Sequence, residues 1–505
     1  MSPIRVAEIL AALSLTTDLA SGVAAEKGLH TCLVAVGLAE PAGLDRRAAY
    51  HAGLLRAIGC TSHAPENAEM FLDDVAFQAA LKQADPGDEA VWSAQLARFG
   101  DWAGPEAQPV LARRLVDNFH TVGVGAALAG CEVSRALGPG LGLAAAAVDA
   151  LDDVYERWDG LGIPRGRAGE EISPIARVVH VAEQAVLAHA RGGHQAAVEE
   201  VRRRAGGHLD PGLAALFEAH AEAVLAGFEA PDAVAAVVAA EPAPQARIGA
   251  GQLHRMCEAL ATVADLKGRY LIGHSTHVAG LAAAAGGLAG LDEPACASLR
   301  AAALVHDLGR VGVSSSVWDH PGPLGAADRE RVRLHTYWTD RILRRCPALS
   351  PLAVVASSHH EREDGSGYHR GTRTSDLPVA ARLLAAADVF AALTEPRPYR
   401  PAFTGPEAAR LLAAGRLDPD ACGAVIEAAG LPRPRREWPC GLSDREVEVL
   451  RLAARGLSNR EIAGELAISE RTVGHHLAHV YDKTGRRTRA GAAVFAVEHG
   501  LLPIG

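Results

Sequence analysis

The sequence predicts an all-α protein with more than one domain. The chain has 505 residues, of which 49% are hydrophobic and only 4% aromatic. Alanine and leucine dominate, and runs of β-branched residues are scarce, a composition that favours helices. Because a chain of this length exceeds what one hydrophobic core supports, we expect about two to four domains.

Charge, cysteine usage and hydropathy exclude several classes of protein. A net charge of −10 argues against a chain that coats nucleic acid along its whole length, although one small domain could still bind DNA. The eight cysteines lie far apart without a C-x-x-C pair, as expected of reduced thiols. No signal-peptide pattern or membrane-length apolar run occurs, so the sequence predicts a soluble, cytoplasmic protein without a membrane partner.

Two stretches rich in proline and charge divide the chain. AEPAPQAR at 240–247 and LPRPRREWPCG at 431–441 have the composition of linkers. They predict three domains, at residues 1–240, 250–430 and 441–505.

Sequence blocks of residues 1–240 recur in residues 250–430. VYERWDGLGIPRG at 154–166 aligns without a gap with HHEREDGSGYHRG at 359–371. AGLLRAIG at 52–59 aligns with AALVHDLG at 302–309, and GLHTCLV at 28–34 resembles GHSTHVA at 273–279 in placing a histidine four residues before a valine. We infer a duplication, and call residues 1–240 the first copy and residues 250–430 the second copy.

The second copy carries histidine and aspartate within or beside apolar helical stretches. These candidate metal ligands are His274, His306, Asp307, His335, His359, His360 and Asp388. Imidazole and carboxylate together favour Zn, Mn or Fe over Mg or Ca. They are too many for one ion, whereas a bridging carboxylate can hold two ions about 3.5–4 Å apart for an in-line displacement at phosphorus.

Core packing is the alternative for any single histidine. It is less suited to the adjacent pair His306-Asp307, because burying both without a compensating ion would be costly. His277, His320 and His369 fall outside the pattern, and we interpret them as ordinary histidines.

The ordered blocks HS(x)2HV, AALVHDLGRVGV, RLHTYWTDRIL, SSHHEREDGSGY and AAADVFAALTEPRPYR resemble the HD-GYP branch of the HD metal-dependent phosphohydrolases, over roughly 250–430. The resemblance implies an all-α HD bundle that cleaves cyclic di-guanylate, with Asp307 and Arg310 as catalytic residues. It implies two divalent transition-metal ions (Fe, Mn or Zn). One would be held by His274, His306, Asp307 and Asp388, and the other by Asp307, His335, His359 and His360.

The sequence departs from the HD-GYP pattern at three positions. Arg310 replaces the usual lysine and can still clamp a phosphate. Gly367-Tyr368-His369 replaces Gly-Tyr-Pro, and Tyr270 stands where members with a third metal have glutamate, which favours two metals. The predicted contacts to substrate are Arg310, Tyr368, Arg397 and Arg400; for the last two, ordinary surface arginines are the alternative.

The first copy resembles the same domain without its metal ligands. Arg56-Ala57 replaces His306-Asp307, Val154-Tyr155 replaces His359-His360, Glu183 replaces Asp388, and no histidine lies near Gly130-Cys131. A domain that keeps its fold but loses its ligands typically serves in dimerisation or ligand sensing. We therefore interpret residues 1–240 as a degenerate HD-like domain, a pseudo-enzyme.

Residues 441–485 predict a helix-turn-helix. Ser443 with Glu446 and Ser458 with Glu461 form capping boxes, Ser469 can cap a third helix, and Gly456 would end the first. The segment resembles the LuxR-type DNA-binding domain, which implies a recognition helix in the major groove of double-stranded DNA, with Val473 and Leu477 in the core. The candidate DNA contacts are Arg471, Thr472, His475, His476 and Lys483.

These predictions describe a homodimeric transcription regulator with tandem HD-type domains and a LuxR-type helix-turn-helix. In the enzyme hypothesis the second copy hydrolyses a nucleotide phosphodiester or phosphomonoester. In the receptor hypothesis it binds nucleotide and metal without turnover and only gates DNA binding. In a third hypothesis a metal merely holds the helical bundle together.

Overall fold

A computed structural model describes residues 3–82, 84–373, 376–433, 438–499 and 501–502. The chain forms two compact units, residues 1–432 and 433–505. The described residues form 24 α-helices and one two-stranded sheet, which confirms the all-α prediction. The predicted linker at 431–441 lies partly outside the described residues, at 434–437.

The first copy begins with strand β1 (Ile4–Arg5) and continues with eleven helices. They are α1 (Val6–Ala20), α2 (Lys27–Ala39), α3 (Arg46–Leu55), α4 (Ala64–Phe71), α5 (Asp74–Leu81), α6 (Glu89–Arg98), α7 (Gln108–Leu137), α8 (Ala145–Leu151), α9 (Pro174–Arg204), α10 (Pro211–Leu225) and α11 (Ala233–Ala240). Helix α9 is interrupted at Gly192 and Gly193, whose backbone angles are not helical.

The second copy follows strand β2 (Arg247–Ile248). Its helices are α12 (Ala250–Asp265), α13 (His274–Leu288), α14 (Glu293–Leu304), α15 (Ser315–Trp318), α16 (Ala326–Arg345), α17 (Ala353–Ser357), α18 (Val379–Thr394), α19 (Gly405–Ala413) and α20 (Pro419–Ala428). Their alanine- and leucine-rich faces pack into the core, and several polar side chains are buried between these faces.

The two copies share one hydrophobic core within the first compact unit. Strand β1 pairs antiparallel with β2. The ammonium of Lys267 is fully buried against the carboxylate of Asp74, which also accepts hydrogen bonds from Ser314 (3.0 Å) and the Ser315 backbone (2.8 Å). The division at residues 240–250 is therefore a sequence boundary inside a single packed body.

Matching hydrogen bonds support the duplication. The backbone N–H of Gly28 donates to Asp18 (2.9 Å), as that of Ser275 donates to Asp265 (3.0 Å). In the aligned loops, the carboxylate of Glu156 accepts from residues 165 and 167, and that of Glu361 accepts from residues 370 and 372. Both loops thus fold around an equivalent buried glutamate.

The matched contacts correct one part of the sequence comparison. Glu26 and Gly273 have left-handed backbone angles (φ 74° and 80°) and directly precede α2 and α13. With the Gly28 and Ser275 bonds, this equates Lys27 with His274, whereas the sequence comparison aligned His30 with His274. His30 instead stacks on Phe228. The alignment of His30 with His274 was wrong because the two sequences share the spacing of histidine and valine at positions that differ by three residues in the folded helices.

The second compact unit contains α21 (Asp444–Ala454), α22 (Asn459–Glu465), α23 (Glu470–Thr484) and α24 (Arg489–Glu498). Both predicted capping boxes form, and Ser469 caps α23 through the backbone N–H of Thr472. Val473 and Leu477 are buried, as predicted. No helix among the described residues is both long and apolar enough to cross a membrane.

Candidate metal centre and active site

The predicted metal ligands converge from separate elements of the second copy. His274 begins α13, His306-Asp307 follows α14, His335 lies within α16, His359-His360 follows α17, and Asp388 lies within α18. All are buried except His360, which is half-buried. The cluster therefore lies in the interior of the second copy, between the start of α13, the turns after α14 and α17, and the helices α16 and α18.

Asp307 lies at the middle of this cluster. Its Oδ1 atom is 3.4 Å from Nε2 of His335 and 3.5 Å from Nε2 of His359. Its Oδ2 atom is 3.2 Å from Nε2 of His306 and 3.9 Å from Nε2 of His274. The two oxygens of one carboxylate therefore face two different groups of imidazoles.

Asp388 completes the group on the Oδ2 side. Its Oδ1 atom is 3.3 Å from Nε2 of His274 and 3.8 Å from Nε2 of His306. Ligand atoms of His274, His306 and Asp388 lie within 4.8 Å of one another, as do those of His335, His359 and His360. Such spacing is compatible with ligands that surround an ion.

Backbone and side-chain oxygens orient the imidazole rings. The Nδ1 atoms of His306, His335 and His359 contact the carbonyl oxygens of Ala303 (2.7 Å), Val332 (2.5 Å) and Ala356 (2.7 Å). Since a carbonyl only accepts hydrogen bonds, Nδ1 must donate, and the neutral ring then carries its lone pair on Nε2. This arrangement is typical of metal-binding histidines.

Unpartnered buried atoms test whether a metal fits. Nε2 of His274 and His306 and both oxygens of Asp307 are inaccessible to solvent and lack a hydrogen bond of good geometry in the described structure, although Oδ2 of Asp307 forms an ion pair with Arg310. Buried polar groups without partners are rare and costly. Nitrogen and oxygen donors directed at a common centre suit a divalent transition metal, so the residues present fit such an ion.

The electrostatics of the cluster favour ionised carboxylates and at least two neutral imidazoles. Burial would raise the pKa of Asp307, but Arg310 and His306 hold it well below its usual range. Burial lowers the pKa of His335 to about 3 and places that of His360 well below its ordinary value. Burial also opposes protonation of His306, but Asp307 outweighs it and raises that pKa to about 10. A metal ion would have to displace this proton.

The cluster opens onto a cavity of about 360 Å³. Arg310 lines it, with Nη2 2.5 Å from Oδ2 of Asp307 and the guanidinium over the ring of Trp318 (4.6 Å). Tyr368 also lines it and stacks on His360, with ring centroids 4.8 Å apart. Metal ligands, a cation and aromatic faces therefore share one concave site.

The two arginines of the EPRPYR segment line this cavity but have internal partners. Arg397 donates to the carbonyl of Tyr270 (2.7 Å) and to Glu395 (3.0 Å). Arg400 donates to the carbonyls of Ala392, Leu393 and Glu395, so its guanidinium binds the C-terminal end of α18. Arg400 thus has a structural role in addition to its place in the cavity wall.

Glu395 is a residue that the sequence reasoning missed. Its carboxylate accepts from Nδ1 of His274 (2.8 Å) and contacts Nδ1 of His277 (2.9 Å). It therefore orients His274 as backbone carbonyls orient His306, His335 and His359. The sequence offers little indication of this role. Glu395 lies beside prolines and arginines in an irregular segment, where no helical or strand periodicity predicts which residues are near it in space.

The first copy builds a different centre on the same scaffold. Glu183 forms ion pairs with Lys27 (2.5 Å), Arg56 (2.5 Å) and Lys82 (3.8 Å). Burial would raise the pKa of Glu183, but these cations, Arg56 first, hold it well below its usual range. Gly59 lies against the backbone of Gly130 as Gly309 lies against that of His335, so a glycine replaces that histidine. Lysine and arginine stand where the second copy has imidazoles.

The candidate DNA contacts all lie on α23, four of them in its first half and Lys483 in its last turn. Arg471 and His475 are exposed, and Thr472 and His476 are half-buried. The ammonium of Lys483 pairs with the buried Glu446 (2.7 Å) and donates to the carbonyl of Gly441 (3.0 Å). Lys483 therefore holds the end of α23 against the start of α21.

Comparisons with known families agree with the two compact units. Residues 258–420 match the family model described as HD domain. Residues 441–496 match the model described as bacterial regulatory proteins, luxR family. The resemblances seen in the sequence are confirmed for these two segments.

Individual relatives extend the match into the first copy. The chain is 26% identical to 3′3′-cGAMP-specific phosphodiesterase 3 of Vibrio cholerae, over 84% of this chain and 94% of that protein. It is 34% identical to a cyclic di-GMP phosphodiesterase of Pseudomonas aeruginosa, over 32% of this chain and 40% of that protein. The crystal structure of a cyclic GMP-AMP-specific phosphodiesterase in V. cholerae covers 85% of this chain at 23% identity and a TM-score of 0.56, and shows the shared fold.

Proposed function

We propose that this chain, which joins an HD domain to a LuxR-type domain, is a metal-dependent phosphodiesterase for a 3′3′-cyclic dinucleotide and a DNA-binding regulator. The observation that carries the proposal is the position of Asp307, whose two oxygens face two separate groups of histidines beside a cavity. A bridging carboxylate of this kind suits a two-metal phosphoryl-transfer site.

The residues would hold about two divalent transition-metal ions. His274, His306, Asp307 and Asp388 would hold one, and Asp307, His335, His359 and His360 the other. When bound, such ions supply Lewis-acid stabilisation of the attacking and leaving oxygens. Fe, Mn and Zn all suit this ligand set.

Arg310 and the aromatic residues would position the substrate. The Nε atom of Arg310 is buried without a hydrogen-bond partner, and its guanidinium lies in the cavity wall beside Asp307. It can donate to a nonbridging phosphate oxygen and stabilise its charge. Tyr368, Trp318 and Tyr399 offer ring faces for the bases in the same cavity. Arg397 would supply a second cation at its rim.

The choice between two substrates rests on the relatives. The V. cholerae protein that this chain matches over most of its length is named for 3′3′-cGAMP, and the P. aeruginosa protein, matched over a shorter segment, for cyclic di-GMP. The shared chemistry is a 3′–5′ phosphodiester between two purine nucleosides. We place 3′3′-cGAMP first and cyclic di-guanylate second.

The LuxR-type unit would bind double-stranded DNA through α23. Arg471, Thr472, His475 and His476 lie on this helix, and Arg487 adds positive charge beyond its end. We propose that the chain acts as a homodimer on two half-sites, as helix-turn-helix proteins commonly do. Sedimentation with and without a palindromic promoter fragment tests this part.

A non-catalytic nucleotide sensor is the second candidate function. Arg310 already pairs with Asp307, and Arg400 is bound to backbone carbonyls, so fewer cations are left to stabilise charge during phosphoryl transfer. In that case occupancy of the cavity alone would shift the DNA-binding population.

Hydrolysis assays on metal-loaded protein separate these candidates. Mn- or Fe-loaded chain is incubated with 3′3′-cGAMP or cyclic di-guanylate, and linear dinucleotide and mononucleotides are quantified. The His306→Ala/Asp307→Ala double variant is the control. Turnover that vanishes in this variant supports the phosphodiesterase; tight substrate binding without turnover at full metal occupancy would contradict it and favour the sensor.

A further inference from the structure

The first copy contains its own cavity, of about 240 Å³. Helices α5 and α7 and the loop that carries Val154 and Tyr155 surround it, and Arg56, Lys82 and Glu183 lie at its polar end. This is the same place on the scaffold as the metal centre of the second copy. The three groups of metal-ligand atoms found among the described residues all lie in the second copy, and here lysine and arginine side chains, which are cations, surround Glu183.

The polar end of this cavity has an excess of positive charge. Lys27, Arg56 and Lys82 surround the single carboxylate of Glu183. Burial and the neighbouring Arg56 lower the pKa of Lys82 to about 7, so at neutral pH the cluster holds at most two positive charges beyond that carboxylate, and a bound anion would favour the charged form of Lys82. Asp18 lies beyond Lys27, and burial raises its pKa to about 7, so it offsets at most one of them. Buried like charges are unfavourable unless an anion compensates them.

Two other charged residues that line the cavity have partners away from Glu183, and Arg165 lies 3.9 Å from the carboxylate of Glu156. Glu156 accepts hydrogen bonds from the backbone of residues 165 and 167. Arg157 pairs with Asp85 (2.8 Å) and Asp159 (2.6 Å). The positive surplus at the Glu183 end is therefore not cancelled by the rest of the lining.

Unpartnered polar atoms in the cavity wall point to a ligand. The side chain of Arg56 is 10% exposed; it pairs with Glu183 and donates from Nη2 to the carbonyl of Val154 (3.1 Å), but its Nη1 atom is buried without a hydrogen-bond partner. Asn67 is 3% exposed, and its amide oxygen is also without one. Both residues line the cavity, so each has hydrogen-bonding capacity left for a bound molecule.

The rest of the cavity is apolar and partly aromatic. Phe77, Leu115, Phe119, Val122 and Ile163 contribute to the wall. A concave apolar cavity with a few convergent polar groups is the usual form of a small-molecule site. The anionic group of a ligand would lie at Arg56 and Lys82, and its body against these side chains.

We propose that the cavity of the first copy binds a small organic anion with an apolar or aromatic body, held by Arg56 and Lys82. This site is separate from the proposed phosphodiesterase site and does not depend on it. The first copy would then act as a receptor domain whose cationic side chains occupy the former metal positions and bind a charged ligand directly.

The wall of this cavity is connected to the second copy. Helix α5 carries Phe77 and starts at Asp74, which binds Lys267, Ser314 and Ser315 of the second copy. Helix α15 begins at Ser315 and carries Trp318, which stacks on Arg310. A ligand that moves α5 would therefore act on the wall of the other cavity through a short chain of contacts.

The fluorescent anion 1-anilinonaphthalene-8-sulfonate is the first probe, titrated into the full chain. We expect saturable binding that Arg56→Met and Lys82→Met each weaken by about tenfold or more, because each removes a cation and keeps an apolar side chain. Ala126→Phe should abolish binding, because Ala126 lines the cavity and the larger ring fills it. Leu128→Phe is the matched control on the same helix, since Leu128 is 49% exposed, and should leave binding unchanged.

Competition then identifies the headgroup. Displacement of the probe by guanosine monophosphate would assign a nucleotide phosphate, and displacement by decanoate an aliphatic carboxylate. Absence of saturable binding, displacement by neither anion, or equal binding by wild type and Ala126→Phe would overturn the proposal. If Arg56→Met fails to fold by circular dichroism, Lys82→Met decides, because Lys82 lies 3.8 Å from Glu183 whereas Arg56 lies 2.5 Å from it, so the Lys82 variant breaks a weaker ion pair.

Discussion

The two copies show how one scaffold supports two kinds of buried polar centre. In the second copy, five histidines and two aspartates cluster their ligand atoms, and those of His274, His306 and Asp307 include buried atoms without a hydrogen-bond partner, an arrangement that a metal ion would satisfy. In the first copy, Lys27, Arg56 and Lys82 surround Glu183 and supply positive charge from the chain itself. The comparison suggests that replacing imidazole by lysine or arginine converts a metal site into an ion-paired one while the surrounding loop is kept.

The largest effect should come from Asp307→Ala. Since Asp307 contacts both histidine groups, its loss removes the bridge, and we expect metal content to fall and hydrolysis of the preferred cyclic dinucleotide to drop by at least about 1,000-fold. Product formation by metal-loaded protein checks this. Full activity in the variant would contradict the view that the second copy, unlike the first, depends on a metal bound at Asp307.

Glu183→Gln should destabilise the protein without affecting the metal. It leaves three buried cations around a neutral amide, and breaking a buried pair of this kind costs about 3–5 kcal/mol. Urea unfolding followed by circular dichroism measures the loss. Glu218→Gln, which removes an exposed partner of Arg202, is the control and should leave the unfolding midpoint in place. Loss of metal from Glu183→Gln would mean that the first copy contributes to the metal centre.

Glu395→Gln should weaken metal binding by about 10–100-fold, because the amide orients the ring of His274 less strongly than the carboxylate does. Competition with a chromophoric chelator gives the affinity. Glu407→Gln, in the exposed capping box of α19, is the matched control. An unchanged metal affinity would show that His274 binds the metal equally well without a charged partner at Nδ1.

The smallest effect concerns the DNA-binding unit, which has no counterpart in either copy. Arg471→Ala should weaken promoter binding by about tenfold, or ~1.4 kcal/mol, through loss of one base or phosphate contact. Arg445→Ala is the matched control, since Arg445 is engaged with Glu448 and the carbonyl of Leu466. Equal losses for both variants in a gel-shift titration would argue against α23 as the recognition helix.

Much of the fold and of the candidate metal centre could be predicted from the sequence. Composition predicted helices, capping residues predicted where α21, α22 and α23 begin, and the spacing of histidines and aspartates predicted a cluster that the structure brings together. The helices and their caps depend on local patterns, whereas the cluster joins distant residues and was predicted from the motif blocks and the HD-GYP resemblance that they carry.

Features that depend on tertiary neighbours could not be predicted. Glu395 reaches His274 across 121 positions, and Lys82 joins Glu183 from an unrelated segment. The equivalence of Lys27 and His274 required the backbone bonds of Gly28 and Ser275. Likewise, the internal partners of Arg400 and Lys483 are carbonyls and a carboxylate that only the packed structure brings near.

Metal content per chain shows whether Asp307, and not Glu183, belongs to a metal site. Wild type, Asp307→Ala and Glu183→Gln are purified in parallel, reconstituted with Mn or Fe, and measured by inductively coupled plasma mass spectrometry. We expect about two ions per chain in wild type and in Glu183→Gln, and loss of most of them in Asp307→Ala. Undiminished metal in Asp307→Ala, or metal lost with Glu183 instead, would contradict this expectation.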